Sequence, residues 1–233
     1  MQAWIEWARG PVFIFSFSFM VLGLARHVAL TVWEAGRTMR RAGDRSLPLV
    51  AIGRATLKWL FPAGAIARNA LFSSTSVLFH AAILVVPIFL AGHIALWTRA
   101  FGIGWPAIPN GVADVLTLLA IVTAVALAVQ RLTARATRAI SRPSDHLVLL
   151  AVALPFATGF LTMHPALNPF SFESTMLLHV MSGNLVLVLM PLTKLSHAVL
   201  LPGTQLISKV GWHWPLDSGS RVGAALGKEA ERV

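Results

Sequence analysis

Eight histidines lie in this 233-residue chain, and four of them fall inside long apolar runs. Hydrocarbon offers an ionisable side chain no partner, so such residues mark function. Neutral imidazole is a good axial ligand for haem iron. His179 and His197 lie within the apolar stretch Ser174 to Pro202, 18 positions apart. On one continuous helix, 18 positions are five turns, so both rings leave the same stripe about 27 Å apart along the axis. His80 and His93 lie within the apolar stretch Ala70 to Trp97. Antiparallel packing of the two stretches sets His80 level with His197 and His93 level with His179. That is the geometry of two stacked bis-histidine haems clamped in a helix bundle, four axial ligands for two haem irons. His80 and His93 are 13 positions apart, about 140° out of phase on a straight helix. Pro87 between them predicts a kink that brings the rings closer in phase. The bland alternative for any one of these histidines is a hydrogen bond to a neighbouring helix.

Five apolar segments must position these residues: about Pro11 to Trp33, Ala70 to Trp97, Val112 to Gln130, His146 to Met163, and the Ser174 stretch. Each is long enough to span a bilayer, which takes roughly 20 residues. With 56% hydrophobic and 12% charged residues, the composition fits a polytopic membrane protein. The formal charge of +10 is carried by the connections rather than by one solvated face, so nucleic acid is not an expected partner. Arg37, Arg40, Arg41, Arg45, Arg54 and Lys58 follow the first segment, and Arg131, Arg135, Arg138 and Arg142 follow the third. The other two connections carry only Arg99 at an edge. The positive-inside rule therefore predicts an all-α membrane protein with five transmembrane helices, the N-terminus outside and the C-terminus cytoplasmic. Residues 1–205 form the expected transmembrane domain and 206–233 a cytoplasmic tail. Within the first connection, LPLVAIGRATLKWLF reads as an amphipathic piece on the inner surface. The start, MQAWIEWARG, lacks the pattern of a cleavable signal.

Cysteine is absent. Disulfides, iron–sulfur clusters held by this chain and covalent haem attachment through C-x-x-C-H are thereby excluded. Among the remaining histidines, His27 near the inner end of the first segment is the best substitute for His80 or His93 as a ligand. His146 beside Asp145, His164 in an outer connection and His213 in the tail read as interfacial or surface residues, with His164 able to border a substrate pocket. Ser182 and Gly183, one turn past His179, leave room for a porphyrin plane or for close helix packing.

The run TKLSH at the inner end of the last segment, with a histidine 18 residues earlier, resembles the gamma subunit of respiratory nitrate reductase. The dipeptide Gly92-His93 is similar to that family's outer-haem ligand motif. The His80–His93 spacing is longer than in the nitrate reductase subunits, as in a relative within the broader family. The resemblance covers the chain through about Pro202. It implies a membrane-anchor cytochrome b with two haem b groups in the bacterial inner membrane. Such a respiratory-chain subunit passes electrons between quinol or quinone near the outer face and an iron–sulfur subunit on the cytoplasmic side. The catalytic subunit of the oxidoreductase complex lies beyond it. Arg99 and Trp97, close to His93, are then expected at a quinol pocket, with interfacial anchoring as their plainer role. Lys194 and Ser196, beside His197, are expected near haem propionates or as groups supporting the ligand. Independently of the resemblance, two haems across a bilayer form a wire, and a chain without cysteine must hand its electrons to another protein. A basic inner surface suits an acidic partner. The rival reading is a haem-free membrane anchor, or a metal-ion carrier using the same histidines. A carrier is expected to pair its histidines with intramembrane carboxylates, and Asp114, Asp145 and Glu173 all lie near segment ends.

Overall fold

A computed structural model describes residues 1–42, 49–60, 63–210, 223, 224 and 227. The described residues are overwhelmingly helical and contain no strand. Helix α1 (Gln2–Trp7) continues through a π-helical turn (Ala8–Val12) into α2 (Phe13–Ala42). After α3 (Leu49–Leu60) and α4 (Ala63–Arg68) come α5 (Ala70–Phe89) and α6 (Ala91–Phe101). They are followed by α7 (Asn110–Thr133), α8 (Arg135–Ile140), α9 (Pro143–Met163), α10 (Phe172–Leu192) and α11 (His197–Val210). Five helices are long and apolar enough to cross a membrane: Gln2–Arg37, Ala70–Phe89, Asn110–Thr133, Pro143–Met163 and Phe172–Leu192.

Three boundaries differ from those expected, each for a local reason. Pro11 reads as a helix start, because proline suits the first helical turn. Here the helix instead runs back to Gln2 and accommodates Pro11 in the π-turn. The second segment does not kink at Pro87 but breaks at Leu90, whose backbone is extended (φ −75°, ψ 131°). The carbonyls released there find other donors, the Trp105 indole on Ile88 O at 2.8 Å and the Ile108 amide on Phe89 O at 2.9 Å. His80 and His93 consequently stand on separate helices, and their phase on a single straight helix ceases to matter. The last stretch also divides. α10 ends at Leu192 just after Pro191, a 3₁₀ turn spans Lys194–Ser196, and His197 opens α11. The 18 positions from His179 to His197 are therefore not five turns of one helix.

The chain divides into two compact units, residues 1–22 with 62–194 and residues 23–61 with 195–233, a division other than the 205/206 boundary expected. In the first unit α5 packs on α7, α7 on α9, α9 on α10, and α10 on α1 with its π-turn. Large apolar side chains such as Phe15, Val122 and Leu150 face outward, while the buried positions include Ala113, Thr117, Ala120 and Ala124 of α7. Small residues four and three apart let helices approach closely where lipid supplies no hydrophobic drive between them. The buried threonines are satisfied within their own helices. Thr75, Thr117, Thr158 and Thr162 each donate to the carbonyl four residues back, at 2.6–2.8 Å. In the second unit α3, the amphipathic piece of the first connection, packs on α11. Most of the expected tail, including His213, lies outside the described residues.

Asp145 joins three helix ends of the first unit. Its carboxylate accepts from the Arg142 amide at 2.9 Å, capping α9, and pairs with Lys194 Nζ at 2.6 Å. Its carbonyl accepts from Arg131 at the end of α7 at 2.9 Å. Asp145→Ala removes the cap and the Lys194 partner together. The expected result is a melting temperature roughly 2–4 °C lower in detergent, read by the loss of helical circular dichroism.

Candidate functional site

α6 and α10 bring two of the four intramembrane histidines together. The rings of His93 and His179 lie with centroids 5.9 Å apart and planes within 14° of parallel. That is well beyond face-to-face contact, about 3.5–4 Å between carbon atoms. It matches two imidazoles on one metal ion. A metal–nitrogen bond is about 2 Å and the ring centre lies about 1 Å further, giving centroids about 6 Å apart.

Each ring is set by its own helix. His179 sits in the second turn of α10 and donates from Nδ1 to the Pro155 carbonyl of α9 at 2.9 Å. A carbonyl only accepts, so Nδ1 carries the proton and Nε2 keeps its lone pair. This is the tautomer a metal-ligating histidine needs, and the hydrogen bond fixes the ring's orientation. Gly159, one turn beyond Pro155, makes room for the ring. A Cβ there would stand 2.9 Å from His179 Cε1 and 3.1 Å from Nδ1. His93 lies in the first turn of α6, near the Val86 and Pro87 carbonyls. Its Nδ1 is buried without a hydrogen-bond partner among the described residues. Parallel rings at metal-bridging separation, a ligand tautomer on His179 and a buried polar atom on His93 together fit an axial pair for a haem iron.

The other expected site residues are placed less simply. His80 directs Nδ1 to Ser76 O at 2.7 Å on its own helix, which likewise leaves the lone pair on Nε2. It belongs to the first unit, whereas His197 and His27 belong to the second. Gly92 has no atom within 4 Å of where a Cβ would stand, so no close approach accounts for a glycine there, and the same holds for Gly183. Lys194, expected beside a propionate, forms the ion pair with Asp145 already described. Ser182 is buried and donates to the His179 carbonyl at 2.9 Å. His164 stacks on Phe160 at 4.1 Å, and its Nε2 lies 3.6 Å from Asp114, joining the ends of α9 and α7.

Arg99 and Trp97 take distinct places. Trp97 belongs to an aromatic cluster with Phe17 (centroids 4.6 Å apart) and Trp105 (5.6 Å apart). Arg99 pairs with Glu6 of α1 at 3.0 Å and borders an open groove of about 550 Å³. Ala91, Ile94, Ala95, Thr98 and Trp105 line the same groove. Positions 91, 94, 95 and 98 form one face of α6, and at 100° per residue His93 falls on the opposite face. The groove and the histidine pair are thus separated by the thickness of one helix, about 10 Å.

Three features of this site carry weaker sequence signals than the histidines. Gly159 is the lone glycine of its segment, four residues after Pro155, a spacing that places both on one helix face. Asn184, 5% exposed, is the strongest polar group inside the last span and donates from Nδ2 to Ala8 O at 2.9 Å. Arg9 precedes the apolar run in which the first span is expected to begin, and the backward extension of the helix brings it inside.

Over 160 residues the chain is 39% identical to a protein of Nitratidesulfovibrio vulgaris, covering 66% of this chain and 70% of that one. No family model and no solved structure matches.

Proposed function

We infer that this chain, which belongs to the same family as the Nitratidesulfovibrio vulgaris protein, is a membrane cytochrome b that transfers electrons between a quinone pool and a partner subunit. The observation that carries this reading is the parallel His93–His179 pair, 5.9 Å between ring centres, with His179 held in the ligand tautomer by Pro155. A haem b bound between these rings would supply reversible one-electron chemistry at its iron. His93 and His179 would be its axial ligands. The Pro155 carbonyl holds the His179 ring in orientation and raises its basicity, and Gly159 keeps the space that the ring occupies.

The groove on the far face of α6 suits a quinol. Its floor is apolar, Arg99 offers a cation to a quinol oxygen, and Glu6 stands beside Arg99 as a base near bulk water. The arginine-rich connections support a cytoplasmic placement of the loops after the first and third spans, with the N-terminus outside. In that orientation the basic face would receive an iron–sulfur partner. The resemblance of Gly92-His93 and TKLSH to the nitrate reductase gamma subunit supports the same assignment, in a bacterial inner-membrane complex.

The test is a reduced-minus-oxidised visible spectrum of the purified protein with a pyridine haemochrome count, followed by reduction with a soluble quinol analogue. The expected result is b-type haem bound to the chain and reduced by the quinol. A flat spectrum from fully assembled protein would overturn the reading and leave a haem-free anchor or an ion carrier.

A further inference from the structure

Arg9 stands out among the cations of the first unit. It lies in the π-turn of the first membrane-crossing helix, is only partly exposed, and makes no ion pair or hydrogen bond among the described residues. Arg99 and Lys194, by contrast, are paired with Glu6 and Asp145. A cation at this depth without a carboxylate is costly unless an anion from elsewhere meets it.

The local backbone is built to put the side chain there. Pro11 lacks an amide hydrogen, and its ring would clash with the carbonyl four residues earlier, so a regular α-turn is disfavoured. The chain widens into a π-turn over Ala8–Val12, a form that recurs at functional sites. Asn184 of α10 reaches across to the Ala8 carbonyl at 2.9 Å, in a fully buried setting, and so ties the turn to the helix that carries His179. The turn also packs against α6, the helix of His93. The Arg9 guanidinium is close enough to the His179 ring to act on it electrostatically.

We propose that Arg9 is the anion-binding residue of the His93–His179 site, held by the π-turn and Asn184 to receive a carboxylate of the group bound between the two histidines. For a haem that carboxylate is a propionate. The inference rests on the cytochrome reading and deepens it. The same chemistry could be met by the phosphate of an anionic lipid headgroup, which would make Arg9 an interfacial anchor with no effect on the site.

The test uses the full-length protein in nanodiscs of phosphatidylcholine and, separately, of phosphatidylglycerol. Potentiometric titration of the haem absorbance gives the midpoint potential for wild type, Arg9→Gln and Arg9→Lys. A guanidinium beside the site favours the reduced form, which carries one positive charge less. Arg9→Gln is therefore expected to lower the reduced-to-oxidised ratio at fixed ambient potential about tenfold, 59 mV for one electron. The shift should be the same in both lipids, and Arg9→Lys should restore most of it. Haem bound normally with an unmoved potential in Arg9→Gln would overturn the inference and leave the cytochrome reading standing. Loss of binding to phosphatidylglycerol alone would assign Arg9 to lipid and overturn it equally. A haem-free wild type would overturn the functional reading and this inference with it.

Discussion

His179→Ala is expected to remove one b-type haem per chain and to abolish reduction of that site by quinol. The imidazole is the group that Pro155 orients and Gly159 accommodates, and alanine offers no nitrogen in its place. His93→Ala should cost the same haem, because a low-spin bis-histidine site needs both rings, and the two lie parallel at 5.9 Å. The pair of losses should be equal and non-additive in the double variant, as for residues acting as one unit. His164→Ala is the matched control. Its imidazole also belongs to the first unit, but it is occupied by Phe160 O at 2.9 Å and faces Asp114. Its removal should leave the haemochrome count unchanged. Equal haem content in His179→Ala and wild type would separate the histidine pair from any cofactor role.

How far these residues were legible in the sequence depends on the range of the signal. The five apolar runs are a summed property of some twenty residues each, so no single residue can hide them. The meeting of His93 with His179 followed from depth, because both lie near the same end of neighbouring segments. What failed was the assumption of continuity. Pro87 and Pro191 were visible as breakers, but whether a proline kinks or ends a helix depends on who takes the released carbonyls. Here Trp105 and Ile108 do so from a loop some twenty residues later. Pro11 shows the reverse case, a proline that reads as a beginning yet sits within a helix because Asn184, 176 residues away, satisfies Ala8. The glycines were the least legible. Gly183 and Gly92 drew attention by standing next to histidines in sequence, yet neither has a neighbour within Cβ reach. Gly159 does, and its partner lies on another helix.

Gly159 therefore carries the second large prediction. A methyl group at this position would stand 2.9 Å from His179 Cε1, closer than side-chain carbons tolerate, so the ring must move. It is not free to do so, since its Nδ1 is bonded to Pro155 on the same helix that carries Gly159. Displacement sacrifices that hydrogen bond, about 0.5–1.5 kcal/mol, in addition to overpacking of about 1–3 kcal/mol. Gly159→Ala is expected to weaken haem retention measurably, seen as loss of haem on gel filtration. Gly159→Val, with two further carbons directed at the same ring, should lose the haem as completely as His179→Ala. Helical content by circular dichroism should be preserved in both, because α9 tolerates either residue and the clash is confined to one ring. The double variant Gly159→Val/His179→Ala separates a packing effect on the ligand from a general one. If Gly159 acts only through the ring, the second substitution adds no further loss of haem and relieves the overpacking, so the double variant melts above Gly159→Val. A double variant that melts below both single variants would instead make Gly159 a contact between α9 and α10 that bears on the bundle as a whole.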